Sequence, residues 1–303
     1  MIVTRVRPKQ RSELRRPQRS IYSAQHSLKM PGVLIRTEGS PPVADTDVND
    51  VYDHLGTVIE FYRAIFARNS IDGNGQPIVA TVHYGTQYQS VFWTGTQLVF
   101  GDGDTEAFAP FTGFIDVVAY EFTRGIIDVE AHLPWFSQSG ALSSSIADVF
   151  GSLIKQYVFG QTADQSDWLI GAGLLKKGGA LRSMKSPGTA YDDPVLGKDP
   201  QPAHMKDYIK TDRDSGGVHI NSGIPNRAFY LSATEIGGYA WEKAGKIWYE
   251  TLRDSRLRPN TGFRRFATLT VEQAGKLFGP YSNERRAVQK AWIEVGVIVP
   301  STD

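Results

Sequence analysis

Two kinds of hydrophobic periodicity divide the chain. From Ser20 to about Pro110, apolar and polar positions alternate in short runs such as IVATVHYG and QSVFWTGTQLVFG, which predicts strands joined as hairpins and meanders. The stretch 46–66 has helical spacing instead, with Thr46 as the expected N-cap. From Asp116 onward helical spacing dominates, and helices are predicted over 116–131, 139–159, 222–236, 237–253, 270–278 and 281–296. This order of elements predicts an α+β fold with a β-rich N-terminal lobe and a mainly helical C-terminal lobe.

The same pattern suggests three parts. Residues 1–19 read as a basic flexible tail or the remnant of a pro-segment, because their many basic residues face a single acidic residue, Glu13. Residues 20–130 form the β-rich lobe, which ends in a central helix, and residues 131–303 form the helical lobe. The loop 173–215 is rich in glycine and proline, and loops of that length inside a compact domain are usually functional.

Composition narrows the classes of protein. The 303 residues are 41% hydrophobic with a net charge of +1, which fits a globular domain and predicts neither nucleic-acid binding nor a membrane surface as partner. The chain has no cysteine, so thiolate chemistry and cysteine metal ligands are excluded. No apolar run reaches the ~20 residues of a membrane span. An apolar signal core is absent from the N-terminus, so we expect a cytoplasmic protein, with non-classical export as an open alternative.

The central helix carries the most informative motif. DVVAYEFTRGIID places Tyr120, Glu121 and Arg124 as Y-E-x-x-R, the frame of the zinc-protease motif H-E-x-x-H. Further segments extend the likeness from about Ser20 to Val297: RSIYSAQHSLKMPGVLIRTEG, VHYGTQYQSVFWTGTQLVFGDGD, SGALSSSIADVFG, LRSMKSP, GGVHINSGIPNRAFYL and AWIEVGV. Together they resemble the thermolysin family of metalloproteases, nearest its short protealysin-like branch. The resemblance implies a thermolysin-like two-lobe fold with the central helix under the cleft.

The resemblance also implies where the family binds zinc. Two ligands four residues apart share one helix face, and a third comes from the next helix. Here those positions hold Tyr120, Arg124 and Ser144. A guanidinium is a permanent cation, and neutral phenol and serine hydroxyls are poor zinc ligands. We therefore expect neither a metal nor another cofactor in the cleft.

Other cleft positions follow the family more closely. By resemblance, Glu121 is the general base, His219 a hydrogen-bond donor oriented by Asp214, and Arg182 the residue that holds a substrate carbonyl. Asp148 matches a carboxylate that steadies a metal-binding histidine. Two positions depart from the family, with Trp135 in place of a tyrosine and Ser90 in place of an asparagine. The substrate-binding set is expected to comprise Arg182, Arg124, Trp135, Ser90, Phe92 and Trp93, and the catalytic set Glu121, His219, Asp214 and Tyr120.

The balance of charges predicts which side chains take the place of the family's metal ions. An unpaired charge left in a partly buried cleft costs several kcal/mol, roughly, so Arg124 is expected to pair with Glu121 or Asp148. At the family's calcium site, Asp116 and Asp167 remain, while Lys155, Leu169 and Ala172 stand at acidic positions. A lysine there suggests a salt bridge in place of the ion.

Two functions remain open at this point. The cleft could hold a small molecule or peptide and carry out metal-free acid–base chemistry through Glu121 and His219, or the protein could be a catalytically dead pseudoprotease that binds a ligand or protein partner. A nucleic-acid module working through the basic N-terminus is disfavoured by the near-zero net charge. His83 and His132 are not expected to bind metal, because neither has a partner at metal-binding spacing, and the GDGD turn is expected to be structural.

Overall fold

The structure, a computed structural model, describes residues 16–298. Its N-terminal lobe contains a five-stranded sheet in the order β2-β1-β3-β5-β4. The strands are β1 (Arg19–Ser23), β2 (Val33–Thr37), β3 (Ile78–Val82), β4 (Val91–Trp93) and β5 (Leu98–Phe100). β1, β3 and β5 are parallel, whereas β2 and β4 are antiparallel edge strands. The predicted hairpin pattern is therefore confirmed for the pairs β1–β2 and β4–β5. It is wrong for the parallel pairs β1–β3 and β3–β5, because an edge strand lies between the two partners along the chain.

A single long helix crosses the N-terminal lobe. Helix α1 (Thr46–Phe66) begins after Asp45, whose carboxylate accepts hydrogen bonds from the backbone N–H groups of Asp47 and Val48 at 3.1 and 3.3 Å. The prediction that Thr46 is the N-cap is wrong by one residue, since the Asp45 carboxylate already satisfies the exposed N–H groups at the helix start.

The C-terminal part is built from helices. They are α2 (Ile115–Glu130), α3 (Ser137–Phe159), α4 (Asp214–Asn221), α5 (Gly223–Ile236), α6 (Ala244–Leu252), α7 (Phe263–Phe278) and α8 (Asn283–Glu294). Four two-residue strands lie between α3 and α4: β6 (Leu169–Ile170), β7 (Arg182–Ser183), β8 (Asp192–Asp193) and β9 (Gly197–Lys198).

Three helix predictions need correction. α4 was not predicted, because its first turn contains left-handed residues at Ser215, Gly216 and Gly217. α6 starts later than expected, since Gly237 and Gly238 have φ angles of 73° and 69°, which a helix does not allow. α7 starts earlier, at Phe263, because buried Phe263 and Phe266 extend its apolar face.

Helices α2 and α3 pack together at the buried centre of the molecule. They approach closely at Gly151, where a Cβ atom would lie 2.7 Å from the carbonyl oxygen of Asp116. Only glycine permits this approach. No helix within residues 16–298 is long and apolar enough to cross a membrane.

The predicted tail, residues 1–19, lies largely outside the described residues. Arg19, at its end, belongs to β1, and its guanidinium is held by Glu38 at 2.5 Å and by the Tyr52 carbonyl oxygen at 2.7 Å. These contacts tie β1 to the segment after β2 and to α1.

Candidate functional site

A cavity of about 200 Å³ opens between the edge strand β4 and helices α2 and α4. Its lining combines apolar side chains with the polar groups of Tyr120, Glu121, Arg182 and His219. The full lining is Gln89, Ser90, Val91, Phe108, Phe111, Val117, Tyr120, Glu121, Leu181, Arg182 and His219. The structure thus brings together five residues that the sequence assigned to the cleft from four separate segments.

Tyr120 points from α2 toward α3. Its hydroxyl donates a 2.9 Å hydrogen bond to the Ser144 hydroxyl, and both side chains are buried. Burial raises the pKa of the Tyr120 phenol well above its usual value, so the phenol stays protonated at neutral pH. The two residues are satisfied by each other and bridge the two helices directly.

Arg124 lies one turn further along α2. Its Nη1 donates to the Ser143 hydroxyl, and its guanidinium carbon is 4.0 Å from the centre of the Trp135 ring, a cation–π contact. Arg124 forms no direct ion pair with Glu121 or Asp148 within residues 16–298, so the expected pairing is wrong as a contact, although the Arg124 charge still lowers the pKa of Glu121. A serine and an aromatic face hold the guanidinium, since Asp148 already has another partner.

Glu121 is buried at the base of the cavity. Burial raises the pKa of its carboxyl to about 7, although the nearby Arg124, the Trp93 N–H and Arg182 act in the opposite direction. A carboxyl with this pKa exchanges a proton near neutral pH, which is the property a general acid or base needs.

Asp148 on α3 pairs with Arg182. Arg182 Nε lies 3.0 and 2.8 Å from the two carboxylate oxygens, and its Nη2 donates at 2.8 Å. Asn226 donates to the same carboxylate at 2.8 Å, and Asp148 is fully buried. Arg182 therefore reaches the cavity with much of its hydrogen-bonding capacity already used, and among the described contacts the N–H groups of Nη1 and the second N–H of Nη2 remain for a ligand.

His219 lies on α4 and lines the same cavity. Its Nδ1 lies 2.7 Å from Asp214 Oδ1, and the Trp135 ring packs edge-on at 5.2 Å. Burial of Asp214 is outweighed by hydrogen bonds from the His219 ring and from backbone N–H groups, so the pKa of Asp214 lies below its usual range. Asp214 thus stays ionised and fixes the ring, so that Nε2 is free of this contact. The expected His219–Asp214 geometry is present.

Four predicted substrate-binding residues do not line the cavity, namely Arg124, Trp135, Phe92 and Trp93. Arg124 and Trp135 pack on each other. Phe92 packs against the rings of Tyr84 and Tyr88 at 5.5 and 6.0 Å. The Trp93 indole N–H donates to Asp128 at 2.8 Å, which ties β4 to α2. The side chains of Phe92 and Trp93 support the edge strand, and only the backbone of Trp93 reaches Glu121.

Sequence reasoning missed several residues of the site. Ser143 and Asn226 hold Arg124 and Asp148, and Phe108, Phe111 and Leu181 supply the apolar wall. The SSS run contained Ser143, but nothing in its pattern distinguished it from its neighbours. Asn226 is 78 residues from Asp148, so no local spacing could connect them.

A second charged cluster lies beyond the other end of α2. Lys155 Nζ is 2.9 Å from Asp167, 2.8 Å from the Leu169 carbonyl oxygen and 3.8 Å from Asp116. Burial raises the pKa of Asp116, with Lys155 and the Gly171 N–H opposing the shift. The ammonium is thus surrounded by oxygen atoms, as the sequence predicted for this lysine.

Comparison with known proteins identifies the family. A profile of the thermolysin metallopeptidase catalytic domain matches residues 17–128, and one of the thermolysin metallopeptidase alpha-helical domain matches residues 131–297. The chain belongs to the thermolysin metallopeptidase family. Its thermolysin-like fold, with a β-rich N-terminal domain and a helical C-terminal domain, is confirmed.

Similar members of the thermolysin family include proteins with protease names. An extracellular metalloprotease of Pectobacterium carotovorum subsp. carotovorum is 53% identical over 93% of this chain and 81% of its own length. An extracellular minor metalloprotease of Serratia marcescens is 44% identical over 79% of this chain and 73% of its own. The solved precursor of protealysin, a metalloproteinase from Serratia proteamaculans, is 54% identical with a TM-score of 0.91 over 95% of this chain and 89% of that one.

These names correct one expectation. The cytoplasmic location predicted from the sequence is wrong, because similar members of the thermolysin family are named extracellular proteases, which points to secretion.

The name of the thermolysin metallopeptidase family implies a bound metal ion, and the side chains in the cleft can be compared with the ligands that such an ion needs. Zinc needs three nitrogen, sulfur or carboxylate ligands and an open position. The residues at the expected positions are a protonated phenol, a guanidinium and a serine hydroxyl, namely Tyr120, Arg124 and Ser144. Within residues 16–298, the trios of histidine and carboxylate groups close enough for a metal all include His83, which lies outside this cleft. The cleft residues do not fit zinc.

Proposed function

We propose that the protein is a zinc-free, non-proteolytic member of the thermolysin family whose cleft binds a small molecule or peptide. The observation that carries this proposal is the direct Tyr120–Ser144 hydrogen bond beside the Arg124 guanidinium. A phenol, a hydroxyl and a cation leave no donor set for a dication, and without a Lewis acid the cleft lacks an activator for the water that cleaves a peptide bond. The names of its relatives support secretion as its location.

The Lys155 cluster supports the same interpretation at a second place. Its ammonium contacts oxygen atoms of the kind that calcium uses, at a position where the resemblance predicts that ion. Side-chain cations at both positions would let the fold form without either metal.

The cavity favours a ligand with an apolar body and a polar head. Phe108, Phe111 and Leu181 supply apolar lining, and Glu121 and His219 supply polar groups. In a metal-free isomerisation, elimination or cyclisation, one of these two groups would take a proton from the substrate and the other would return a proton to it, which suits a carboxyl with a pKa of about 7 and an oriented imidazole.

The alternative is a dead pseudoprotease that acts as a binding or regulatory protein. The observation that favours it is the engagement of both arginines, since Arg124 lies on Trp135 and Arg182 is bound to Asp148. Neither has a full guanidinium face to offer an anionic substrate.

The two functions can be separated by a ligand screen. Compounds that raise the melting temperature of the wild-type protein are incubated with it, with Glu121→Gln, with His219→Ala and with the exposed control His132→Ala, and products are followed by mass spectrometry. Turnover lost in the two cleft variants and kept in the control supports the enzyme. Binding without turnover in any of them supports the pseudoprotease. Zinc-dependent cleavage of a protein substrate by the wild type would refute both.

A further inference from the structure

Two histidines and two aspartates converge away from the cleft. His83, just after β3, has Nδ1 2.9 Å from Asp102 Oδ1 and Nε2 3.0 Å from Asp45 Oδ2. His26, just after β1, places its Nδ1 3.1 Å from Asp102 Oδ2. The four residues come from four separate segments, so the sequence expectation that His83 has no metal-binding partner rested on local spacing alone.

We propose that His26, His83 and Asp102 form a binding site for a divalent transition metal such as zinc, with Asp45 orienting the His83 ring. One ligand atom from each of the three lies within 4.8 Å of the others. Tetrahedral zinc holds nitrogen and oxygen donors at about 2.0–2.2 Å, which places them roughly 3.3–3.5 Å apart. The two histidine–aspartate contacts, at 2.9 and 3.1 Å, are shorter than this separation and use different carboxylate oxygens, so a metal ion would take the place of these direct contacts.

Asp45 contacts the other nitrogen of the His83 ring and so completes the proposed site. A metal-binding histidine commonly donates its other ring N–H to a carboxylate, which fixes the ring and raises its basicity. Asp45 stands in this relation to His83 Nε2 and is itself fixed, because its other oxygen caps α1. Imidazole nitrogen with one carboxylate is a donor set that suits zinc.

The backbone holds the two imidazoles in place. His26 and His83 have φ angles of 60° and 53°, in the left-handed region that few non-glycine residues adopt, and the His26 N–H donates to the His83 carbonyl oxygen at 2.8 Å. Such conformations persist where surrounding contacts enforce them, often at ligand sites. The His26 side chain is 61% exposed, so an ion can enter from solvent without disturbing the fold.

The test is calorimetric titration of the chelator-treated full chain with zinc. We expect one zinc ion per chain, and an affinity at least about tenfold lower in His26→Ala, since even the loss of an orienting carboxylate costs 10–100-fold. The exposed control His132→Ala should bind like the wild type. Absence of zinc binding by the wild type, or equal affinity in His26→Ala, would overturn the proposal.

Cobalt provides a second readout. Cobalt(II) bound by two imidazoles and a carboxylate gives visible absorption that depends on the ligands. The wild type should show this absorption and His26→Ala should not, with both variants folded by circular dichroism. The same spectrum in His26→Ala would place the metal elsewhere and contradict the assignment.

Discussion

Replacing the Glu121 carboxylate with an amide should stabilise the protein above neutral pH. Glu121 is buried, and burial raises the pKa of its carboxyl from 4.5 to about 7. Between these pH values the folded state holds more protons at this group than the unfolded state, so the free energy of unfolding of the wild type falls as the pH rises. At 1.36 kcal/mol per pH unit the full effect is about 3 kcal/mol.

The Glu121→Gln variant has no charge to bury at this position, so its free energy of unfolding does not fall in this way as the pH rises. Its free energy of unfolding, measured by urea denaturation, should exceed that of the wild type by an amount that grows by about 1–3 kcal/mol between pH 4.5 and pH 8. The exposed control Glu106→Gln should show no such growth. A difference for Glu121→Gln that does not change with pH, or that favours the wild type at pH 8, would contradict the raised pKa of the buried Glu121 carboxyl.

Three further predictions concern the buried charges. Lys155→Met should lower the free energy of unfolding by about 3 kcal/mol at pH 7, because it leaves Asp116 without its cation. Calcium should restore the stability of this variant and leave that of the wild type unchanged. The control Lys243→Met, which breaks an exposed ion pair, should cost under about 1 kcal/mol. The Lys155→Met loss should shrink at low pH, where Asp116 is protonated, and a loss equal at pH 4 and pH 7 would contradict the role of that charge. Asp148→Asn should cost about 3–5 kcal/mol by leaving Arg182 unpaired, and adding Arg182→Met should recover part of it; additive losses in a double-mutant cycle would show that the two residues do not interact.

Sequence periodicity predicted the fold class and most helices, because segments with amphipathic spacing in the sequence form amphipathic helices in the folded protein. The helix at 115–130 was found within one residue at each end, since its apolar face is continuous. The start of α4 was missed, because Ser215, Gly216 and Gly217 are left-handed there and no apolar spacing marks such a turn. The parallel strand pairs were missed because local alternation does not encode which strand is a neighbour.

The sequence predicted which residues belong to the candidate site better than it predicted which of them contact each other. Resemblance to the thermolysin family placed Glu121 and His219 in one cleft, and both line the same cavity. It did not predict that Arg124 would lie on Trp135, because a guanidinium can be held by an aromatic face as well as by a carboxylate. Pairing of buried charges depends on distances across the fold, and local spacing carries no such information.

The central claim is that the thermolysin-like cleft holds no zinc. It is tested most directly by anomalous diffraction at the zinc edge from crystals of the full chain grown with zinc. We predict no anomalous peak within coordination distance of Tyr120, Glu121 or Ser144, whatever is found at His83. A peak about 2.0–2.2 Å from the side-chain oxygen atoms of these cleft residues would contradict the account.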